Sequence, residues 1–394
     1  MMLSANLLFI GKVEQAPLIK KRAFWLRWIP WHSEKVNASQ ELIDQIRSLK
    51  SKGVSSGKKG DYTSAKVSLN QALEKASKYQ NLTSLKSRIF HELGVLEANQ
   101  GDPKSAREFF NQAIKLESQL GDEIAQAITL LHLASLETQQ QLFPKAIAIY
   151  NQALALQKRN NDDYGCTLTR HHLADLYSRT GNVQKAIVLY EEVRASQAYD
   201  NHPSAKAAVL HQLAMLRYKQ DEFEEALVLY QEALDAEEDI NNPSGKAATL
   251  CQMAKIYERQ NLLDRALDVY QNSLELTATN SLEQASTLDH IGGVKTKQGD
   301  FDEAIEMYQR SLQLKADQGN PSSIAVTLAK LGKLQAEWQG EFKIALKNLR
   351  QAAEVLQQVG SSEAQAVCTV LARVEKSAKA EILQQAQKIE KTGF

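Results

Sequence analysis

The fold is decided by the stretch Ala146-Ile147-Ala148-Ile149-Tyr150-Asn151-Gln152-Ala153-Leu154. Alanine, tyrosine, alanine and leucine return with the same spacing at Ala226, Tyr230, Ala233 and Leu234. Apolar residues three and four positions apart lie on one face of an α-helix. The two copies therefore predict the same amphipathic helix at two places in the chain.

The first alanine of this stretch belongs to a series of alanines about forty residues apart. An aromatic residue or a leucine stands four residues after each of them, one helical turn along the same face. A repeat of this length predicts stacked structural units, because no single unit can bury its apolar face alone. The alanines are Ala65, Ala106, Ala146, Ala186, Ala226, Ala266, Ala304 and Ala345, and the residues four later are Leu69, Phe110, Tyr150, Tyr190, Tyr230, Tyr270, Tyr308 and Leu349.

A second small residue precedes each alanine by twelve positions, or by thirteen in the last copy. Turn signals such as Gly101-Asp102 and Gly181-Asn182 lie between the two landmarks. Each unit is therefore expected to be two helices, A and B, that approach closely where the small side chains meet. The small residues of helix A are Gly53, Gly94, Ala134, Ala174, Ala214, Ala254, Gly292 and Gly332.

The chain resembles the tetratricopeptide repeat in the run Thr249-Leu250-Cys251-Gln252-Met253-Ala254-Lys255-Ile256-Tyr257, followed by Arg265-Ala266-Leu267. The resemblance covers roughly residues 39–358 and implies an all-α, right-handed superhelical solenoid of about eight antiparallel helix pairs. The usual unit has about 34 residues. The longer unit found here is similar to the repeats of kinesin light chains, LGN-type adaptors and bacterial Rap-type regulators.

Two flanking segments complete the predicted organisation. Residues 1–38 are basic and carry Trp25, Trp28 and Trp31, a mixture that suits either a cap on the first repeat or a docking motif for a membrane or a protein through residues 20–31. Residues 359–394 read as a C-terminal capping helix. In the last repeat, Glu337 to Phe342 holds one extra residue, which predicts a distorted turn.

The resemblance implies that the A helices line a concave groove in which a partner segment binds. Three positions on each A helix are expected to face it, at three before, one after and five after the small residue. The position five after is basic in four successive repeats, which favours an acidic partner segment; a merely solvated helix face is the alternative. The candidate partner-binding residues are His171, Asp175, Arg179, His211, Met215, Lys219, Cys251, Lys255, Arg259 and Lys297.

Two other charged or polar features have competing interpretations. Asp221 to Asp239 contains nine acidic residues and no Lys or Arg, which indicates either a second docking patch or a charged outer face. The histidines of the A helices fall in two registers, and we interpret them as polar groove lining rather than as a metal site, because no His has a second His one turn away on its own helix.

Composition restricts the remaining functions. The formal net charge is zero, so no nucleic-acid partner is expected. The three cysteines are widely spaced, and catalytic motifs, metal sites and cofactor sites are not apparent, so a non-enzymatic, cytoplasmic protein is expected. The sequence thus predicts an interaction scaffold or adaptor. The alternatives are a peptide-responsive sensor of the Rap type and a membrane-associated assembly factor docked through the tryptophan-rich start.

Overall fold

The computed structural model describes residues 37–199, 202–277, 281–316 and 320–392, and all regular secondary structure within these ranges is helical. Successive helices pack as hairpins, and we number the hairpins as units 1 to 8. This confirms the predicted all-α repeat architecture. The predicted basic and tryptophan-rich segment lies outside the described residues, except for its last two.

The first helix of each unit is helix A and the second is helix B. The A helices are α1 (Gln40–Lys58), α3 (Thr83–Gln100), α5 (Glu123–Gln139), α7 (Asp163–Arg179), α9 (Pro203–Lys219), α11 (Pro243–Arg259), α13 (Ser281–Gln298) and α15 (Pro321–Leu334). The B helices are α2 (Tyr62–Ser77), α4 (Pro103–Leu120), α6 (Phe143–Arg159), α8 (Val183–Arg194), α10 (Phe223–Asp239), α12 (Leu263–Leu276), α14 (Phe301–Ala316) and α16 (Phe342–Gln358). A final helix, α17 (Ala364–Thr392), follows unit 8.

The helix boundaries follow from local chemistry. The side chain of Asp102 accepts hydrogen bonds from the first backbone N–H groups of α4, and Pro103 takes the first helical position, where no N–H is needed. Helix α7 ends before Gly181, whose φ of 79° is the left-handed conformation that closes a helix. The same conformation is held by Gln141 at 59° and Asp221 at 62°, where a side chain makes it less favourable.

The sequence landmarks form the contact between the two helices of each unit. Ala174 of α7 and Ala186 of α8 are fully buried, and so are Tyr190, Tyr230 and Tyr270. At Gly94, an added Cβ would lie only 2.6 Å from the ring of Phe110. The small residue therefore makes room for the aromatic ring of its own hairpin.

The extra residue in unit 8 is absorbed by a π-helical turn, Gln335–Gln339, at the end of α15. In unit 2 the closing bond runs from Asp102 N to Glu97 O, five residues back, at 2.9 Å. In unit 8 it runs from Glu341 N to Gln335 O, six residues back, at 2.9 Å. The insertion thus widens the last turn of helix A by one residue and leaves the following helix in place.

Unit 4 departs from the pattern in a way that the sequence did not predict. Its helix α8 has 12 residues, whereas α6 and α10 each have 17. The chain continues through a 3₁₀ turn, Gln197–Tyr199, which buries the ring of Tyr199. This turn replaces the final helical turns of the neighbouring B helices.

Helix α17 packs against α16 and contacts α15. Val367 and Val374 of α17 are buried in this contact. The helix therefore covers apolar residues of unit 8. That residues 359–394 act as a cap remains a prediction.

Candidate protein-binding face

The three predicted positions on the A helices differ in exposure. The position five after the small residue is exposed in Arg179, Lys219, Arg259 and Lys297. The position one after is partly buried, as in Asp175, Met215 and Lys255. Exposure therefore increases toward the C-terminal end of each A helix, and the accessible part of this face is the basic row.

The position three before the small residue belongs to the junctions between units. His171 is only 6% exposed, and its Nδ1 lies 3.4 Å from the hydroxyl of Tyr199. A side chain packed in this way presents little surface to a partner, so the expectation that His171 lines an open groove is not supported by its position. The sequence could not indicate this, because Tyr199 comes from the unpredicted turn of unit 4.

His211 and Cys251 are partly buried and are hydrogen-bonded within the stack. His211 Nδ1 lies 3.1 Å from Thr249 Oγ1, and Cys251 Sγ lies 3.3 Å from Thr287 Oγ1. Burial, with a smaller effect from Lys255, lowers the pKa of His211 to about 4. His211 is therefore neutral at pH 7 and can only accept or donate hydrogen bonds there.

Two of the four cations in the exposed row are already paired. Arg259 lies over the rings of Tyr218 and Phe223 and forms an ion pair of 2.8 Å with Asp221. Lys297 forms an ion pair of 2.8 Å with Glu258. These contacts hold both side chains against the previous unit and reduce the charge that they offer to a ligand.

The other three cations among the candidate residues have no carboxylate partner in the part of the chain that the structure describes. Arg179 stacks at 5.3 Å over the ring of Phe143, which leaves its charge uncompensated. Lys219 is exposed and Lys255 is partly buried, and no ion pair involves either within the described ranges. The A helices of units 4 to 6 therefore each carry one of these candidate cations without an ion pair among the described residues.

About half of the acidic residues between Asp221 and Asp239 form ion pairs with cations of neighbouring helices. Arg217 contacts Glu222 at 2.8 Å and Glu225 at 3.3 Å, and Arg194 contacts Glu232 at 2.6 Å. With Asp221 held by Arg259, this pattern favours the charged outer face over a second docking patch.

The second register of histidines stacks on aromatic rings of the preceding unit. The ring of His172 lies 5.6 Å from Tyr150, and that of His290 lies 5.4 Å from Tyr270. Among the described residues, no group of three His, Cys, Asp or Glu side chains could hold a metal ion. These histidines pack between units as flat rings.

A row of threonines was missed by the sequence analysis. Each lies five residues before the small residue of its A helix, and each is buried and hydrogen-bonded to helices of the previous unit. A threonine repeated in one register inside an apolar helix face is the signal that could have revealed them. The residues are Thr129, Thr169, Thr249, Thr287 and Thr327.

Comparison with known families identifies the class of this repeat. A tetratricopeptide repeat model matches residues 125–197, 206–278 and 283–368, and a second model of the same repeat matches residues 87–120. Because these matches span more than half of the chain, the chain belongs to the tetratricopeptide repeat family. This fold is typically a non-catalytic scaffold that binds proteins or peptides.

Two solved structures share this fold at low sequence identity, and a third is similar over half of the chain. The apo form of RapI is 14% identical with a TM-score of 0.52, over 69% of this chain and 97% of that chain. Aspartyl phosphate phosphatase F from Bacillus subtilis is 16% identical with a TM-score of 0.51, over 73% of this chain and 75% of that chain. A putative kinesin light chain of Podosopora anserina is 21% identical with a TM-score of 0.43, over 50% of this chain and 97% of that chain.

The search of curated proteins finds no match. None of the helices in the described ranges combines the length and the apolar character needed to cross a membrane.

Proposed function

We propose that this protein is an interaction scaffold that binds an acidic segment of a partner protein along its A helices. The main support for this proposal is that Arg179, Lys219 and Lys255 lie on successive A helices and form no ion pair with a carboxylate among the described residues. Carboxylates of a bound segment would find positive charge there without having to displace an internal ion pair.

The arrangement of the helices supports a groove on this side. A helices of neighbouring units contact each other directly, as in α1 with α3, α9 with α11 and α11 with α13. Tetratricopeptide solenoids bind segments on the concave surface that their repeats create, and α9 and α11, which contact each other, carry Lys219 and Lys255.

The test is binding by a variant with reversed charge on this face. Lys219→Glu with Lys255→Glu is preferable to any change at Arg259, because removing Arg259 would also leave Asp221 unpaired. The partner is captured from the native host with the wild type, and its affinity is then measured with purified protein. We expect the double variant to bind at least about tenfold more weakly, and the wild type to lose affinity as salt is added.

Lys115→Glu with Lys158→Glu is the matched control. Both residues are exposed on B helices, α4 and α6, and the substitution changes the net charge by the same amount. Equal weakening by the two double variants would indicate a general effect of charge and would contradict the proposed site.

The peptide-responsive alternative makes a further prediction for the same face. A sensor would become more compact or more extended when its ligand binds, whereas a scaffold would keep its dimensions, and small-angle scattering with and without the captured partner distinguishes them. The membrane-docked alternative depends on residues 20–31, outside the described residues. It predicts that the full chain sediments with lipid vesicles and that replacing Trp25, Trp28 and Trp31 by Ala abolishes this.

A further inference from the structure

Two buried glutamates lie at equivalent junctions of the solenoid. Glu117 lies in the last turn of α4 between units 2 and 3, and Glu237 lies in the last turn of α10 between units 5 and 6. Their side chains are 1% and 6% exposed, and in each the Oε2 atom is buried without a hydrogen-bond partner. An ionised carboxylate in such a position lacks both water and a counter-charge.

Each glutamate belongs to a three-residue chain that crosses the junction. In the first, His91 Nδ1 lies 3.0 Å from Thr129 Oγ1, which lies 3.1 Å from Glu117 Oε1. In the second, His211 Nδ1 lies 3.1 Å from Thr249 Oγ1, which lies 3.4 Å from Glu237 Oε1. Both chains therefore join the outgoing B helix to the A helices on either side of it.

The hydrogen bonds at the first junction accommodate a protonated carboxyl better than an ionised one. Thr129 Oγ1 also lies 3.1 Å from Ala125 O, so its one hydrogen has two acceptors. If Glu117 carries a proton it can donate to Thr129, which donates to Ala125 O and still accepts from His91. If Glu117 is ionised, Thr129 can donate to its Oε1, but the charged Oε2 atom stays buried without any donor, and a buried acceptor without a donor is destabilising.

At two other junctions, the position equivalent to these glutamates is occupied by a neutral residue or by a charged residue with an ion-pair partner. Gln157 takes the place of the glutamate between units 3 and 4 and accepts from Thr169 at 2.7 Å. Between units 7 and 8 the position is Lys315, which pairs with Asp289 at 2.5 Å and contacts Thr327 at 2.6 Å. Among these four junctions, the two with a glutamate are the ones in which this position holds a carboxyl that no cation contacts.

The charged groups that face the glutamates do not replace a direct partner. Arg88 of α3 and Asp122 at the start of α5 act on Glu117 in opposite directions. Lys246 of α11 favours the ionised form of Glu237, but its ion pair of 2.7 Å is with Glu238. His91 and His211 are linked to the carboxyls only indirectly, through the hydrogen bonds of Thr129 and Thr249.

We propose that Glu117 and Glu237 are proton-dependent clamps, which close the junctions of units 2 and 3 and of units 5 and 6 when protonated and loosen them when ionised. The pKa of each carboxyl is raised to about 7, chiefly by burial. A carboxyl whose pKa is higher in the folded state contributes stability below its unfolded pKa and loses it as the pH rises through 7. The clamps therefore respond near neutral pH.

The loosening would also change the proposed binding face. His91 and His211 lie on the A helices, so a junction that opens at Glu237 shifts α11, which carries Lys255, relative to α9, which carries Lys219. This regulation rests on the proposed function, whereas the clamps themselves do not. The test is therefore made on the free protein.

The experiment compares amide hydrogen exchange at pH 6 and pH 8, corrected for the intrinsic rates, in the wild type and in Glu117→Gln with Glu237→Gln. In the wild type, protection in α5 and α11 should fall about tenfold or more from pH 6 to pH 8, while α7, behind Gln157, stays unchanged. In the double variant the loss at pH 8 should disappear, because an amide cannot ionise and Gln157 shows that it fits.

Glu137→Gln is the matched control, since Glu137 is also buried but contacts two cations. It should lower protection to the same extent at both pH values. If the wild type and the double variant show the same pH dependence in α5 and α11, the clamps do not exist. This experiment uses no partner protein. A negative result for the clamps is therefore distinguishable from a negative result for the proposed binding face.

Discussion

Glu137 has no exposed surface and holds Arg107 by two parallel hydrogen bonds, 2.6 Å from Nε to Oε1 and 2.9 Å from Nη2 to Oε2. Lys145 Nζ adds a third contact of 2.8 Å to Oε1. The three residues lie on α5, α4 and α6, so this carboxylate joins units 2 and 3. The bonds to Arg107 are the main reason that the pKa of Glu137 is lowered.

We expect Arg107→Ala to reduce the free energy of unfolding by about 2–3 kcal/mol, because it leaves a buried carboxylate with one partner. Urea unfolding at pH 7 measures this. The control is Arg159→Ala, which removes an exposed pair with Glu123 at 3.1 Å and should change stability by less than about 0.5 kcal/mol. Equal losses for both variants would contradict the buried link.

The stacked histidines predict that stability falls in acid. Burial lowers the pKa of His172 to about 4, with a smaller contribution from His171, and burial lowers the pKa of His132 and His290 to about 4 as well. An unfolded histidine binds its proton near pH 6.5. Between pH 6.5 and 4 the unfolded chain therefore gains protons that the folded chain does not, and stability is lost as the pH falls.

His172→Gln should reduce this loss, because Gln212 and Gln252 occupy the same register in units 5 and 6 and show that glutamine fits there. The measurement is the urea midpoint of both proteins at pH 7 and pH 5. The variant should show a smaller shift between the two pH values. A shift as large as that of the wild type would mean that His172 is protonated in the folded protein.

The repeat pattern predicted the helix pairs because its landmarks are determined by contacts within one unit. A small residue such as Ala174 and an aromatic residue such as Tyr190 lie 16 positions apart on two helices of the same hairpin, so their spacing is visible in the sequence. The extra residue near Glu337 likewise marked the distorted turn, although its π-helical form depends on how α15 and α16 pack.

The binding face was harder to predict because it depends on contacts between units. Arg259 and Lys219 look alike in the sequence, yet Arg259 is held by Asp221 and two rings of the previous unit while Lys219 is not. His171 is buried because Tyr199, 28 residues later, packs on it. Periodicity identifies which positions share a face, and only the packing of neighbours decides which of them remain accessible.

Gly94→Ala tests the close approach of the two helices in unit 2. The added Cβ would lie 2.6 Å from the ring of Phe110, so the ring or the helix must shift, at about 1–3 kcal/mol. Thermal unfolding of the variant measures the loss. Adding Phe110→Leu should recover part of it, and two losses that simply add would contradict a direct clash.

Gln141→Gly should stabilise the protein, because Gln141 turns the chain between α5 and α6 at a φ of 59°. A side chain in this conformation is disfavoured by about 1–2 kcal/mol, whereas glycine adopts it freely. Part of that gain is offset because glycine makes the unfolded chain more flexible, which leaves about 0.5–1 kcal/mol.

The reverse change, Gly181→Ala at a φ of 79°, should destabilise by a similar amount, although an added Cβ there meets no atom within 4 Å. Urea unfolding of both variants separates the two causes, since a conformational penalty moves them in opposite directions and a contact effect would leave Gly181→Ala unchanged.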